Sequence, residues 1–79
     1  DLALAITQEM GAPITLSTQE QVKAGLINLQ DTLNTLNNFN FIEPHDNYQI
    51  IKESVGICGL ITPWNWPLNQ ISLKIGPAI

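Results

Sequence analysis

Two prolines that stand four residues apart constrain this chain more than any other feature. They belong to the segment Ile61-Thr62-Pro63-Trp64-Asn65-Trp66-Pro67. A proline ring holds φ at about −65°, and Pro67 suits the first turn of a helix because its missing N–H is not needed there. The segment follows an apolar run, Val55–Ile61, and precedes an apolar-periodic run, Leu68–Ile79. This order predicts a buried strand, a tight turn and a helix.

Asn65 lies between the two prolines and is flanked by two indole side chains. A neutral amide in a rigid, apolar turn is a good hydrogen-bond donor for negative charge that develops during a reaction. The alternative is an ordinary turn asparagine that bonds its own backbone. The residues of the turn alone leave both roles open.

The first half of the chain predicts two helices. Leu2, Ile6 and Met10 share one helical face, and Gly11 stands where a C-terminal helix cap is expected. Ser17-x-x-Glu20 is a capping-box pattern that predicts the start of a second helix, which we expect to reach about Asn38. Its apolar residues form a stripe at helical spacing, called here the apolar stripe: Val22, Leu26, Leu29, Leu33 and Leu36.

After the second helix, residues 40–47 contain Pro44 and predict a loop. Residues 48–53 contain enough β-branched and aromatic side chains to predict a strand, and their charged residues predict that it is partly exposed. The coarse order is therefore helix, helix, strand, strand, turn, helix. The final strand–turn–helix is half of a β-α-β unit without its return strand, so we expect the chain to be a piece of a larger α/β protein.

Composition excludes several functions. The net charge is −4, and the three basic residues are all lysines, so no basic stripe can follow a nucleic-acid backbone. No apolar run reaches the 18 residues or so of a membrane span, and no signal peptide is visible. A single cysteine rules out an internal disulfide framework and favours a reducing compartment. We therefore predict a cytoplasmic protein that binds neither nucleic acid nor membranes.

The segment Thr62–Pro67 resembles the signature of the NAD(P)-dependent aldehyde dehydrogenase superfamily. Val55–Ile61 is similar to the glycine-containing strand before that signature, and Leu73–Ala78 to the K-x-x-P-A segment after it. Thr7–Pro13 is similar to the family's turn between two helices, although Ala12 replaces the usual lysine. The resemblance implies one partial domain over residues 1–79. Residues 1–47 would be a helical segment and loop, and residues 48–79 the strands and the start of a Rossmann-like cofactor-binding unit.

The resemblance also implies a function for the larger protein. It would oxidise a small-molecule aldehyde to a carboxylate with NAD or NADP through a cysteine thiohemiacetal, whose oxyanion Asn65 would stabilise. Four residues would border the cofactor: Ile61, Thr62, Pro63 and Trp64. Three would line the aldehyde tunnel: Trp66, Gln70 and Leu73. A homo-oligomer is implied, and the 79-residue chain alone is expected to be inactive.

Cys58 and His45 invite catalytic roles that we do not assign. Cys58 falls within the predicted buried strand, and a thiol in apolar surroundings is inert. The family resemblance implies that the nucleophile and the general base lie outside this segment. His45 has only loop acids beside it, too few for a metal site. Two alternatives remain: a non-enzymatic helical interaction module that uses the apolar stripe, and a relative that passes the acyl group to CoA.

Overall fold

A computed structural model describes residues 1–79, which form helices and one two-stranded hairpin. The elements are α1 (Leu2–Met10), α2 (Ile14–Leu16), a π-helical segment (Ser17–Gln21), α3 (Val22–Asn37), β1 (Ile42–Pro44), β2 (Gln49–Ile51) and α4 (Pro67–Ala78). The radius of gyration is 17.0 Å, whereas a compact chain of this length would measure about 12 Å. Eight residues are buried, and the apolar ones are only Ala3, Ile6 and Ala12. The chain therefore has almost no hydrophobic core of its own.

Helix α1 ends at Gly11, as its sequence predicts, and it begins with a side-chain cap. The Asp1 carboxylate accepts a hydrogen bond from the Ala3 N–H at 2.9 Å and caps the first turn. Gly11 closes the helix in the left-handed conformation, with φ of 82°, and its N–H donates to the Thr7 carbonyl at 3.0 Å. Glycine adopts this conformation without a Cβ clash, as expected of a C-terminal cap.

The second helical stretch begins three residues before its predicted start, because the chain turns helical directly after Pro13. The Ser17 N–H donates to the Pro13 carbonyl at 3.0 Å, so Ser17 lies inside the helix. Its hydroxyl is fully buried and accepts from the Thr7 hydroxyl at 3.0 Å. The capping-box prediction for Ser17 and Glu20 is therefore wrong, since the Ser17 hydroxyl joins α1 to the next helix.

Helix α3 packs on α4 through small and polar residues. The contacting face carries Gly25, Asn28 and Thr32, which are buried or half-buried. The apolar stripe lies one residue further around the helix, and Leu26 and Leu33 are 58% and 54% exposed. The stripe therefore does not hold α3 in this chain.

Strands β1 and β2 form an antiparallel hairpin in which Glu43 pairs with Ile50. The prediction of a loop over residues 40–47 is wrong for β1, because the predicted strand that follows supplies the hydrogen-bonding partner that β1 needs. The His45 N–H donates to the Tyr48 carbonyl at 2.8 Å across the hairpin end. Lys52 forms a salt bridge with Glu43 beside the paired strands.

Residues 52–63 form no helix or strand, and the predicted buried strand over Val55–Ile61 is absent. Ile57 is fully exposed and Ile61 is 89% exposed. A strand of a parallel sheet needs neighbouring strands for its backbone groups and helices over both faces, and this chain supplies neither. Helix α4 then begins at Pro67, where the sequence predicts it. None of the helices has the length and apolar character needed to cross a membrane.

Candidate functional site

The segment before α4 carries six of the eight sequence-predicted site residues, Ile61 to Trp66, and the other two, Gln70 and Leu73, lie within the helix. Trp66 precedes the first helical residue and provides no capping hydrogen bond. Pro67 follows at the first helical position, where it has no N–H to leave unpaired. The Gln70 N–H donates to the Trp66 carbonyl at 2.9 Å, which makes the first helical hydrogen bond. The turn is thereby joined rigidly to α4.

The Asn65 side chain is exposed and makes no hydrogen bond within the chain. Its backbone carbonyl does have a partner, because the Gln21 side-chain Nε2 donates to it at 3.5 Å. An asparagine with a purely local turn role uses its side chain to bond nearby backbone. Asn65 makes no such bond in this structure, so both of its amide N–H groups are available to a ligand.

Gln21 is the functional candidate that sequence reasoning missed. It is the last residue of the π-helical segment and is 1% exposed. Its Oε1 atom is buried and has no hydrogen-bond partner. The sequence does contain a pattern that could have identified Gln21. Small or polar side chains recur every three or four residues and so share one helical face: Ser17, Gln21, Gly25, Asn28 and Thr32.

A polar network fixes the first turns of α4 against α3. The Asn28 Nδ2 donates to the Asn69 Oδ1 at 2.8 Å and to the Ser72 hydroxyl at 3.2 Å. The Ser72 hydroxyl in turn donates to the Asn69 carbonyl at 2.9 Å. Gly25 allows the close approach, since a Cβ there would lie 2.5 Å from the Leu68 Cγ. The helix that carries Asn65 at its entrance is therefore held by directional contacts.

An open groove of about 460 Å³ runs between α1 and the turn. Three of the four residues predicted to border the cofactor line it, namely Thr62, Pro63 and Trp64, and the fourth, Ile61, does not. The remaining lining residues come from two helices: Leu2, Ala5, Ile6, Glu9 and Met10 of α1, and Pro67, Leu68 and Ile71 of α4. Trp64 is 78% exposed, so its indole face is open to a ligand.

The three residues predicted for the aldehyde tunnel do not line this groove. Trp66 and Gln70 are half-buried and Leu73 is 49% exposed. In α4, Leu73 follows the groove-lining Ile71 by two positions, which places it on roughly the opposite face of the helix, and Gln70 lies at the edge between the two faces. The two predicted binding surfaces therefore lie on different sides of the helix that Asn65 precedes.

Cys58 and His45 lie away from Asn65 in the sequence and contribute nothing to the groove. Cys58 is exposed, so the prediction that it is buried is wrong, for the same reason that its strand is absent. The His45 ring stacks on the Tyr48 ring with 4.4 Å between centroids. No three His, Cys, Asp or Glu side chains come together in an arrangement that could hold a metal ion.

Comparison with known proteins identifies the family to which this chain belongs. The model of the aldehyde dehydrogenase family matches residues 1–79. A 3-succinoylsemialdehyde-pyridine dehydrogenase of Pseudomonas sp. is 45% identical over 80 residues, which cover 100% of this chain and 17% of that protein. A putative aldehyde dehydrogenase of Staphylococcus haemolyticus is 42% identical over 78 residues, covering 99% of this chain and 16% of that protein. No solved structure matches the chain significantly. The chain belongs to the aldehyde dehydrogenase family.

These matches cover the whole of this chain but only a small part of each relative. The chain spans 16–17% of the length of these two relatives. Its helices and two-stranded hairpin are those of a fragment of an aldehyde dehydrogenase domain, as the α/β prediction expected.

Proposed function

We propose that this chain is an internal segment of an enzyme that oxidises a small-molecule aldehyde to a carboxylate with NAD or NADP. Three observations support the proposal. The family match extends over every residue of the chain, the chain spans 16% of a relative's length, and its apolar surface is largely uncovered. Exposed apolar surface of this extent is typical of a face that packs on further structure.

The observation that carries the functional part of the proposal is the state of the Asn65 amide. The side chain is exposed and free of internal hydrogen bonds, while its backbone lies between two prolines and accepts a bond from Gln21. A donor that is already oriented needs little reorganisation when negative charge forms near it. Asn65 is thus suited to stabilise the oxyanion of a thiohemiacetal intermediate.

The other parts of the chemistry lie outside this segment in our proposal. A cysteine thiolate adds to the aldehyde carbonyl, and the carbonyl oxygen becomes the oxyanion to which Asn65 donates. Loss of hydride from the former aldehyde carbon, for which NAD or NADP would supply the acceptor, converts this thiohemiacetal into a thioester. Water, activated by a general base, then hydrolyses the thioester to the carboxylate and frees the thiolate. We do not assign this role to Cys58, because its one contact is a weak bond from Sγ to the Gly56 carbonyl and no basic group in the chain contacts the thiol to activate it. The chain alone is therefore expected to be inactive.

The residues of the groove fit part of a nicotinamide cofactor. The Trp64 side chain offers an exposed ring face, and the Thr62 hydroxyl has no hydrogen-bond partner in the chain. Ile61 adds exposed apolar surface next to them along the chain. When bound, NAD or NADP would accept the hydride of the reaction. We propose that Ile61, Thr62, Pro63 and Trp64 border this group.

We place the aldehyde on the other side of the turn. Trp66, Gln70 and Leu73 follow one another along one face of α4 and its entrance, away from the groove. Trp66 would supply an aromatic wall and Gln70 a polar group. In this arrangement Asn65 stands between the two binding surfaces, where the reacting carbon must meet both the nucleophile and the hydride acceptor.

The partners and location of the whole protein are part of the same proposal. We expect a homo-oligomer in the cytoplasm, and the Asn65 turn is equally compatible with an enzyme that transfers the acyl group to CoA. A helical interaction module is the second candidate function, favoured by the apolar stripe, in which Leu36 is 52% exposed. Membership of an enzyme family over all 79 residues favours the view that this stripe packs on the rest of the enzyme.

Steady-state kinetics of Asn65 variants in the full-length protein test the proposal. Loss of one oxyanion donor typically lowers kcat about 10²–10³-fold, so Asn65→Ala should do this and leave cofactor affinity nearly unchanged. Asn65→Asp should be at least as damaging, because a carboxylate accepts hydrogen bonds where a donor is needed. If both variants melt like the wild type and keep its kcat, Asn65 has no catalytic role.

A further inference from the structure

We propose that Gln21 is a positioning residue that fixes the Asn65 backbone and thereby aims the Asn65 side chain. The inference rests on the proposed oxyanion role of Asn65 and extends it to a residue 44 positions away in the sequence. Gln21 does not touch a reacting atom in this proposal. It acts on the catalytic amide through the backbone to which that amide is attached.

The first step of the argument is the contact itself. The Gln21 Nε2 donates to the Asn65 carbonyl oxygen at 3.5 Å, and this is the hydrogen bond that ties the turn to the preceding helical stretch. The carbonyl belongs to the peptide plane between Asn65 and Trp66. Holding that plane restricts ψ of Asn65, and the direction of a side chain follows from its backbone conformation.

The second step is the burial of Gln21. Its side chain is 1% exposed, although a long polar side chain is rarely found inside a protein without a specific partner. The Oε1 atom is buried and unpaired, which costs free energy on the order of 1–3 kcal/mol. A methionine or leucine would fill the same space without this cost. An amide therefore stands where packing alone favours an apolar side chain.

The third step is the local backbone. Gln21 ends a π-helical segment that begins at Ser17, and such segments often occur at functional sites. A π-helical turn contains more residues than an α-helical turn, so the side chains after it are rotated about the helix axis relative to those before it. Here Ser17 contacts Thr7 of α1 while Gln21 contacts Asn65. The segment thus aims two polar side chains from one helical stretch at α1 and at the turn.

The donor character of Gln21 gives the proposal a specific test in the full-length enzyme. Gln21→Met keeps the volume and removes the donor, so we expect kcat to fall roughly 10–10²-fold, the size of effect seen when a reacting group is slightly misplaced. The aldehyde KM and the cofactor Kd should stay close to the wild-type values. A variant whose kcat is unchanged would overturn the proposal.

Gln21→Glu supplies a second test, which remains valid if the buried site does not accommodate methionine. A buried carboxyl has a raised pKa. When protonated, it carries an O–H that can donate to the Asn65 carbonyl, and when ionised it cannot. The kcat of Gln21→Glu relative to the wild type should therefore rise as pH falls, whereas the same ratio for Gln21→Met should stay flat. A flat ratio for both variants would overturn the proposal.

Titration of other charged groups would also change kcat with pH. Those on or next to the elements that pack on the π-helical segment take part in no salt bridge: Asp1, Glu9, Glu20, Lys23, Asp31 and Lys74. Each of them is present in the wild type and in both variants. Dividing by the wild-type kcat at each pH cancels the effects that the three proteins share, and the flat ratio expected for Gln21→Met checks that cancellation.

A structural control and a double mutant separate positioning from loss of stability. Thr7→Val removes the donor to the buried Ser17 hydroxyl of the same π-helical segment but leaves the Gln21 contact in place, so it should lower Tm without the kcat loss. In an Asn65→Ala background, Gln21→Met should cost nothing further, because the group that it aims is gone. Additive losses would overturn the inference. A normal kcat in Asn65→Ala alone would instead overturn the proposed function.

Discussion

Gly76 of α4 lies so close to Thr32 of α3 that an added Cβ would stand 2.5 Å from the Thr32 Oγ1. The Thr32 hydroxyl cannot easily withdraw, since it donates to the Asn28 carbonyl at 2.9 Å. Gly76 against Thr32, together with Gly25 against Leu68, allows α3 and α4 to pack closely without a continuous row of apolar side chains between them. This packing places the entrance of α4, and with it Asn65, against the preceding helix.

Gly76→Ala is therefore expected to destabilise the full-length protein, although alanine normally favours a helix over glycine by about 1 kcal/mol. Overpacking of this kind costs about 1–3 kcal/mol, which should appear as a lower Tm in a thermal melt. Thr32→Ala removes the Oγ1 and should recover most of the loss in the double variant. If Gly76→Ala alone raised Tm, the close approach of the two helices would be disproved.

The apolar stripe predicts that the isolated 79-residue chain self-associates. Its members include Leu29 and Leu33, which are 39% and 54% exposed, and a contiguous apolar face in water favours association. Light scattering under reducing conditions should show a mass above that of the monomer. The double variant Leu29→Gln, Leu33→Gln should shift it toward the monomer. A monomeric wild-type chain at high concentration would contradict this prediction.

A matched control uses a polar face of the same helix, away from the apolar stripe. Asn34→Gln together with Thr35→Gln introduces the same number of glutamines at positions that are already polar and exposed. This pair should leave the association unchanged. An equal effect of the two double variants would mean that helix stability, rather than the apolar face, controls association.

The leucines of α3 also show what sequence pattern can and cannot predict. Periodicity correctly identified the helix, its end near residue 38 and an apolar face. It did not predict that α4 would pack on the neighbouring face, where Gly25 and Asn28 lie. Hydrophobic patterns report which residues gain from burial, but they do not say which partner is present. The contact between α3 and α4 depends on shape and hydrogen bonds, which leave a weak mark on composition.

The candidate site also has features that the sequence predicts and features that it does not. The prolines around Asn65 and the start of α4 at Pro67 could be predicted, because φ of proline and the first helical turn are local properties. The contact of Gln21 with Asn65 joins residues 44 positions apart, and no local rule predicts it. The strand over Val55–Ile61 was wrongly predicted because a strand depends on neighbours that this chain lacks.

Cys58 is predicted to be dispensable for catalysis. In this chain its thiol is exposed, and its one contact is a weak bond from Sγ to the Gly56 carbonyl at 3.8 Å. Cys58→Ala in the full-length protein should leave kcat within a few-fold of the wild type, and stability should change by about 1 kcal/mol at most if the thiol becomes buried there. Complete loss of activity in a folded variant would identify Cys58 as the nucleophile and refute the assignment of that group to another segment.

The two tryptophans of the turn provide a matched pair that separates the two proposed binding surfaces. Trp64 lines the groove and is 78% exposed, whereas Trp66 is half-buried and does not line it. If the groove takes the cofactor, Trp64→Ala should raise the Kd of NAD or NADP by roughly tenfold, which corresponds to about 1.4 kcal/mol of lost contact. The aldehyde KM should change little in this variant.

Trp66→Ala should have the reverse effect. It removes the aromatic wall proposed for the aldehyde side, so KM should rise most for bulky aldehydes while the Kd of the cofactor stays near the wild-type value. Cofactor titration by fluorescence and kinetics with a short and a long aldehyde distinguish the two variants. Because both substitutions remove an indole from the same turn, a general loss of turn rigidity would change both constants in both variants. That result would contradict the placement of cofactor and aldehyde on different sides of α4.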